Sequence, residues 1–284
     1  MTRIAWASAA PFDTADPDLP LLLEAARRAG LESEVAHWDD TTVAWDAYDL
    51  VVVRSCWDYV PRREEFLAWT RTVPRLANNA STIAWNTDKT YLRELENAGV
   101  PIVTTSWSAQ EGSDLPEARQ WVVKPTISAG SADTARWSEP AQALAHGRRL
   151  LAAGRPTMTQ PYIDAVDSEG ETGLLLFGGA YSHAFRKGAL LTTDDEPRSE
   201  PELEEDIRAR TASHEQVAFA ESVVATAARI TGNTPLYARV DVVPGPDGEL
   251  RLMELELTEP SFFLEHTSTG ADAVVAAVLD ELQR

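Results

Sequence analysis

The densest chemistry in this 284-residue chain lies in two segments near its end. Along Tyr237-Ala238-Arg239-Val240-Asp241-Val242-Val243, alternation puts Arg239 and Asp241 on one strand face, with Ala238, Val240 and Val242 on the other. Along Leu252-Met253-Glu254-Leu255-Glu256-Leu257, Glu254 and Glu256 share a face opposite Met253, Leu255 and Leu257. Pro244-Gly245-Pro246-Asp247-Gly248 between them is turn chemistry, so the two segments form a hairpin. A register that pairs Arg239 with Glu254 or Glu256 gathers all four charged groups on one face. Three carboxylates that close repel and raise one another's pKa unless a cation lies among them. Carboxylate oxygens, with phosphate oxygens completing an octahedron, are the ligands Mg²⁺ takes. Either strand alone reads as the solvated face of an antiparallel sheet. Both together, with Arg239 in the same patch, favour a metal site.

A second constellation starts at Lys124, which ends the apolar run Trp121-Val122-Val123 and precedes Ser128-Ala129-Gly130-Ser131-Ala132. Such a loop can cover phosphates with backbone N–H groups and small hydroxyls. It is neither a P-loop nor a Rossmann fingerprint, because no Gly-Lys-Ser/Thr and no Gly-x-Gly-x-x-Gly is present. By itself, a small-residue loop is more often a plain turn. Of 25 Lys plus Arg, only Lys89, Lys124 and Lys187 are lysine. A GC-rich coding bias toward Arg accounts for the imbalance, yet it leaves Lys mainly where a compact ammonium is required, as against a phosphate.

Thr159-Gln160-Pro161-Tyr162-Ile163 leaves one lobe and enters the next. Linker backbone there can meet an adenine edge, with Tyr162 and Ile163 as apolar walls; a core strand is the plainer alternative. Arg54 ends a parallel strand, where open α/β sheets place ligands, and Trp57 and Tyr59 follow it. The alternative is a surface Arg beside a packed Trp. His183, on one strand face with Phe185, reads equally as a base or substrate donor and as a structural histidine. Cys56 has no His near it in sequence and reads as buried and inert.

These groups need elements to hold them. Ile4–Ala7 and Leu50–Arg54 read as buried strands, Leu19–Ala29 as a helix ended by Gly30, and Pro61 as the start of another. This alternation predicts a small parallel sheet. Asn86-Thr87-Asp88-Lys89 opens a helix running to Ala98. After residue 112 the pattern changes: strand Trp121–Pro125, return strand Asp133–Trp137, helix Ala141–Ala153 and strand Thr157–Ile163. A hairpin turned by Gly178-Gly179 joins 172–177 to 180–187. Residues 192–205 are acidic and aperiodic, the composition of a mobile loop. Helices His214–Ile230 and Ala271–Leu282 flank the metal hairpin. The expected division is an N-terminal α/β domain over 1–85, a central lobe over 86–163 and a C-terminal lobe over 164–284.

Composition narrows the partners. A formal net charge of −20 argues against nucleic acid, whose binding draws on Lys and Arg neutralising phosphates. No apolar run approaches the ~20 residues of a spanning helix, so no membrane partner is expected. No secretory leader is visible, and a single Cys excludes an internal disulfide. A cytoplasmic address and a monomer or homodimer are the expectation.

Taken in order, these pieces resemble the ATP-grasp superfamily over nearly the whole chain. The resemblance implies an α/β fold of three lobes, with ATP and two Mg²⁺ ions as cofactors. It implies phosphate contacts from Lys89, Lys124, Ser128, Gly130 and Ser131, an adenine hinge at Gln160, Pro161, Tyr162 and Ile163, and a ribose acid at Asp167. Lys187 becomes a third phosphate-side cation, Arg239 the oxyanion holder, and Asp241, Glu254 and Glu256 the metal ligands. Glu256 departs from the pattern, since many relatives carry Asn there.

Within the superfamily, Arg54-Ser55-Cys56-Trp57-Asp58-Tyr59, Ser182–Lys187 and Glu254–Ser261 resemble a small branch of amino-acid-type ligases. That branch includes the cyclo-ligase closing O-ureido-D-serine to D-cycloserine. Arg54, Tyr59, His183, Arg186 and Ser261 fall in these stretches as implied substrate contacts. The implied activity is formation of an acyl phosphate from a small amino-acid carboxylate, then attack by a nitrogen of the same or a second molecule. A nucleotide-binding module and a carboxylate kinase are the rival readings.

Overall fold

The computed structural model describes residues 2–107, 115–199 and 206–284. The chain opens with strand β1 (Arg3–Ser8), helix α1 (Asp18–Arg28), β2 (Glu32–His37), β3 (Leu50–Val53), α2 (Arg63–Thr70) and β4 (Leu76–Ala77). The four strands form an all-parallel sheet in the order β2-β1-β3-β4, as the alternation of strand and helix predicts. The sequence reading missed β2 because Glu-Ser-Glu-Val-Ala-His is polar. It is an edge strand whose alternate side chains stay in water.

Helix α3 (Ala80–Asn86) was also missed; Asn79 caps it by accepting from the Thr82 N–H. Helix α4 (Tyr91–Asn97) begins two residues after Lys89, which therefore sits on its lead-in. Next come β5 (Trp121–Pro125), β6 (Ala135–Trp137), α5 (Pro140–Ala152) and β7 (Thr157–Pro161). These strands form an antiparallel sheet in the order β6-β5-β7, with α5 packed against it.

The last part holds α6 (Ala165–Glu169), β8 (Glu171–Phe177), β9 (Ala180–Lys187), β10 (Ile207–Arg210), α7 (His214–Thr231), β11 (Tyr237–Pro244), β12 (Leu250–Glu256) and α8 (Gly270–Leu282). Its five-stranded antiparallel sheet runs β10-β9-β8-β11-β12. The short charged edge strand β10 gave no sequence signal. Of the aperiodic segment, Thr193 and Asp194 are fastened to Arg136 and Ser138, while 200–205 lie outside the described residues. Among the described residues, no helix is long and apolar enough to cross a membrane.

Alternation along β8 divides the five-stranded sheet between two cores. Leu174 and Leu176 join Ala238, Val240 and Val242 beneath α4 and α7. Leu175, Phe177 and Phe185 join Leu19, Leu22 and Val278 of α1 and α8. The N-terminal sheet is thus welded to the C-terminal one by apolar burial.

Strand β12 is a sheet edge, and unpaired edge amides and carbonyls are costly when buried. Side chains satisfy them here. Asn86 donates to the Leu255 carbonyl at 2.8 Å and accepts from the Leu257 N–H at 2.6 Å, while the Tyr91 hydroxyl accepts from the Leu255 N–H at 2.8 Å. Asn78 donates to the carbonyls of Leu257 and Tyr237 and accepts from the Leu236 N–H. Residues far earlier in the chain therefore fix the strand that carries Glu254 and Glu256.

Candidate active site

A cavity of about 560 Å³ opens where the three sheets meet. Its charged wall is the predicted hairpin. The register pairs Arg239 with Glu256 and Asp241 with Glu254, and Arg239 and Asp241 point away from the Ala238–Val240–Val242 core. Arg239 Nη2 lies 2.8 Å from Asp241 and 2.5 Å from Glu256. Carboxylate oxygens of Asp241, Glu254 and Glu256 lie within 4.8 Å of one another, a hard-oxygen cluster of the kind that fits Mg²⁺. Gly173 lies beneath, opposite both Asp241 and Phe185. A Cβ there would come 2.1 Å from the Phe185 ring, so only glycine lets that ring close the floor.

Lys89, Lys124 and Lys187 line the same cavity. Lys89 Nζ lies 3.1 Å from Glu254 and 2.7 Å from the Ser128 carbonyl, and its backbone N–H donates to Thr126. One lysine thus ties the loop after β5 to strand β12. Burial lowers the pKa of Lys124, with Glu254 opposing. Burial alone would raise the Glu254 pKa, but Lys89, Lys124, Arg239 and Lys187 together hold it below the usual carboxylate range. Burial raises that of Glu256, and neighbouring Glu254 and Asp241 add to this against Arg239. The two glutamates are pushed apart in this way.

Ser128, Ala129, Gly130 and Ser131 line the cavity on the other side, and Gly130 and Ser131 have φ of 53° and 56°. Gln160, Pro161, Tyr162 and Ile163 follow along the wall. The Gln160 amide is anchored on Thr105 at 3.0 Å, and the Arg136 guanidinium lies 3.4 Å from the Tyr162 ring centroid. Tyr59 and Ser261 complete the set of expected residues that line the space.

Five expected site residues do not line it, and of these Asp241 is buried behind Arg239 with its carboxylate still in the cluster. Arg54 is fully buried: it pairs with Asp18 at 3.0 Å, donates to the Pro260 carbonyl at 2.8 Å and covers the Phe262 ring at 3.7 Å. The end of a parallel strand is here a junction with the C-terminal lobe, so the guanidinium serves the frame. His183 lies four residues before Lys187 on β9, roughly 13 Å along a strand. Its Nε2 bonds the Phe262 carbonyl at 2.8 Å and its Nδ1 the Ser182 hydroxyl. Arg186 follows the opposite face from Lys187, as successive strand residues must, and pairs with Asp206. Asp167 grips Arg136 with both oxygens at 3.0 and 3.1 Å and accepts from the Tyr162 hydroxyl. It braces the hinge from outside the cavity.

Trp57, read alongside Arg54 and Tyr59, lines the cavity too, and Glu171 and Glu259 line it without having been assigned a role. Glu171 is the register partner of Lys187, a relation readable once the hairpin is known. Burial raises its pKa, opposed most by Lys187. Glu259 lies within the Glu254–Ser261 stretch, but it follows the end of β12 and has no strand face to betray it.

The family model of the D-cycloserine synthetase DcsG N-terminal domain matches residues 4–78. The cycloserine biosynthesis protein DcsG of Streptomyces lavendulae is 40% identical over 289 residues, covering 94% of this chain and 95% of that protein. The crystal structure of D-cycloserine synthetase DcsG superposes with a TM-score of 0.89 at 38% identity, covering 99% of both chains. The ATP-grasp ligase PsnB, at 19% identity, shares the fold with a TM-score of 0.62 over 98% of this chain and 99% of its own. The chain belongs to the D-cycloserine synthetase (DcsG) family of ATP-grasp ligases, ATP-dependent enzymes that form carbon–nitrogen bonds.

Proposed function

We propose that this ligase closes O-ureido-D-serine, or a small amino-acid derivative very like it, through an acyl phosphate. The observation that carries this reading is one cavity in which Lys89, Lys124, Lys187 and Arg239 meet Glu254 and Glu256, with Asp241 clustered behind them, in a chain 40% identical to DcsG. ATP-grasp ligases work with ATP and Mg²⁺, and two ions suit this donor set. Asp241, Glu254 and Glu256 would hold them; bound Mg²⁺ supplies positive charge beside the transferring phosphoryl group.

Positioning and charge neutralisation dominate phosphoryl transfer, and the chain is furnished for both. Lys89, Lys124 and Lys187 set their ammonium groups along the triphosphate. Anionic phosphate offsets the burial that lowers the Lys124 pKa. Ser128, Gly130 and Ser131 cover the phosphates and exclude water from an intermediate prone to hydrolysis. Gln160, Pro161, Tyr162 and Ile163 receive the adenine.

In the first step a substrate carboxylate oxygen attacks the γ-phosphorus and the bond to ADP breaks. In the second a nitrogen attacks the acyl carbon, gives up a proton, and phosphate leaves. Arg239 stabilises the oxyanion between these events. Tyr59 and Ser261 bound the substrate end. A monomer or homodimer in the cytoplasm, where ATP is plentiful, fits this work.

The test is to supply O-ureido-D-serine with ATP and Mg²⁺, follow ADP, and weigh the product. ADP release together with a new C–N bond supports the ligase. ADP with a stable phosphorylated product makes the protein a carboxylate kinase, and binding without ADP release makes it a nucleotide-binding module.

A further inference from the structure

Of the acidic groups that line the cavity, all but Glu259 and Glu265 face a Lys or Arg among the described residues, and Glu265 is exposed and lies 3.8 Å from His266. Glu254 has Lys89 at 3.1 Å, Glu256 has Arg239 at 2.5 Å, and Asp18 has Arg54 at 3.0 Å. Glu171 faces Lys187 across the β8–β9 register. Glu259 also lines the cavity, yet its carboxylate has no hydrogen bond or ion pair among the described residues. It is not part of the clustered metal carboxylates. Burial pushes its pKa up to about 8, and the strongest charge acting on it is another carboxylate, Glu256.

The backbone that carries Glu259 is nevertheless held firmly. Trp57 Nε1 donates to the Glu259 carbonyl at 3.0 Å, and the next carbonyl, Pro260, accepts from buried Arg54 at 2.8 Å. Lys89 and Arg239 lower the Glu259 pKa from a distance but are hydrogen-bonded elsewhere, so a partly buried carboxylate on a firmly held backbone, facing open cavity, is suited to a cation that arrives with a ligand. An amino acid brings one. Its α-ammonium is one carbon away from the carboxylate that must reach Arg239, so its counter-ion has to stand near the oxyanion end. Glu259 stands three residues past Glu256, on the same cavity wall.

We infer that the Glu259 carboxylate receives the α-ammonium of the substrate and makes the enzyme selective for α-amino acids over their desamino counterparts. This rests on the amino-acid reading proposed above. The metal carboxylates cannot serve instead, because their oxygens are committed to Mg²⁺ and to Arg239. Glu259 is then a specificity residue that touches substrate but takes no part in phosphoryl transfer.

The experiment compares O-ureido-D-serine with the same molecule lacking its α-amino group, in the wild type, Glu259→Gln and Glu259→Asp. Binding is measured by calorimetry with a non-hydrolysable ATP analogue and Mg²⁺, and turnover by ADP release. The wild type should favour the amino compound by about 10–100-fold, the range of a hydrogen bond to a charged group. Glu259→Gln should bring the two compounds within about threefold, with KM for ATP unchanged, and Glu259→Asp should restore part of the preference. Full preference retained in Glu259→Gln overturns the inference and leaves the ligase reading intact. So does equal use of both compounds by the wild type. If the wild type binds neither compound, the amino-acid reading falls and the inference with it.

Discussion

The Lys89 ammonium lies 3.1 Å from the Glu254 carboxylate, joining the lead-in of α4 to the strand that carries Glu254 and Glu256. The same ammonium bonds the Ser128 carbonyl at 2.7 Å, so the loop after β5 and the strand β12 share one cation. Glu254→Gln should lower kcat at least about 10²-fold, the scale of losing one preorganised charge at a reacting centre, and raise the Mg²⁺ requirement. Lys89→Gln should act mainly on KM for ATP. The double variant should be less impaired than the product of the two singles, because the residues are in contact. Near-normal turnover in Glu254→Gln, with an unchanged circular dichroism spectrum, would remove Glu254 from the metal site.

The loop over 126–132 should exchange its amide hydrogens more slowly when ATP and Mg²⁺ are present. Its middle, Ala129-Gly130-Ser131, is small and partly exposed, with positive φ at Gly130 and Ser131, so few side chains pin that stretch. Closing over the triphosphate would order it. Protection that appears elsewhere but not across 126–132 would move the phosphate site.

Arg54→Ala should be a stability variant. It leaves Asp16 and Asp18 buried without their cation and uncovers the Phe262 ring. Breaking a buried ion pair costs about 3–5 kcal/mol, which corresponds to roughly 10 °C in melting temperature for a chain of this size. Enzyme that remains folded should keep its substrate KM within about twofold. A large KM change without loss of stability would return Arg54 to the substrate.

His146 offers a pH test in the β5–β7 lobe. Burial lowers its pKa from 6.5 to about 4, and its Nδ1 accepts from Trp137 Nε1 at 3.1 Å, a bond that needs the neutral ring. The unfolded chain binds this proton more readily than the folded one. Stability from the neutral ring is therefore complete above about pH 6.5 and is lost as pH falls toward 4. Its slope in that window is up to about 1.4 kcal/mol per pH unit. His146→Asn keeps an acceptor for Trp137 without the titration, so its melting temperature should fall less steeply between pH 6.5 and 4. Parallel profiles would show that His146 titrates normally.

Legibility in the sequence followed physical locality. The charged hairpin could be read because period-two alternation separated Arg239, Asp241, Glu254 and Glu256 from Val240 and Leu255 within a dozen residues of either strand. Helices with a clear apolar stripe, α1, α5, α7 and α8, could be placed within a residue or two. Edge strands β2 and β10 could not, because exposure on one side leaves their composition polar. The roles of Arg54 and His183 depend on partners over 75 positions away, Pro260 and Phe262, which no local pattern reveals. The same is true of Asn78 and Asn86, whose buried amides pair the edge of β12. Residues with chemical side chains were overassigned to the cavity wherever the fold needed a buried polar partner to close a junction.

The account turns on ring closure within one molecule, which gains from effective molarities of order 10⁵ M or more. The most direct measurement is ADP release with O-ureido-D-serine as the sole organic substrate beside ATP and Mg²⁺, with and without added amines or amino acids. Ring closure requires full turnover from the single substrate, no acceleration by a second amine, and a cyclic product. ADP release that appears only when a second amine or amino acid is supplied would contradict it and make the enzyme an intermolecular ligase.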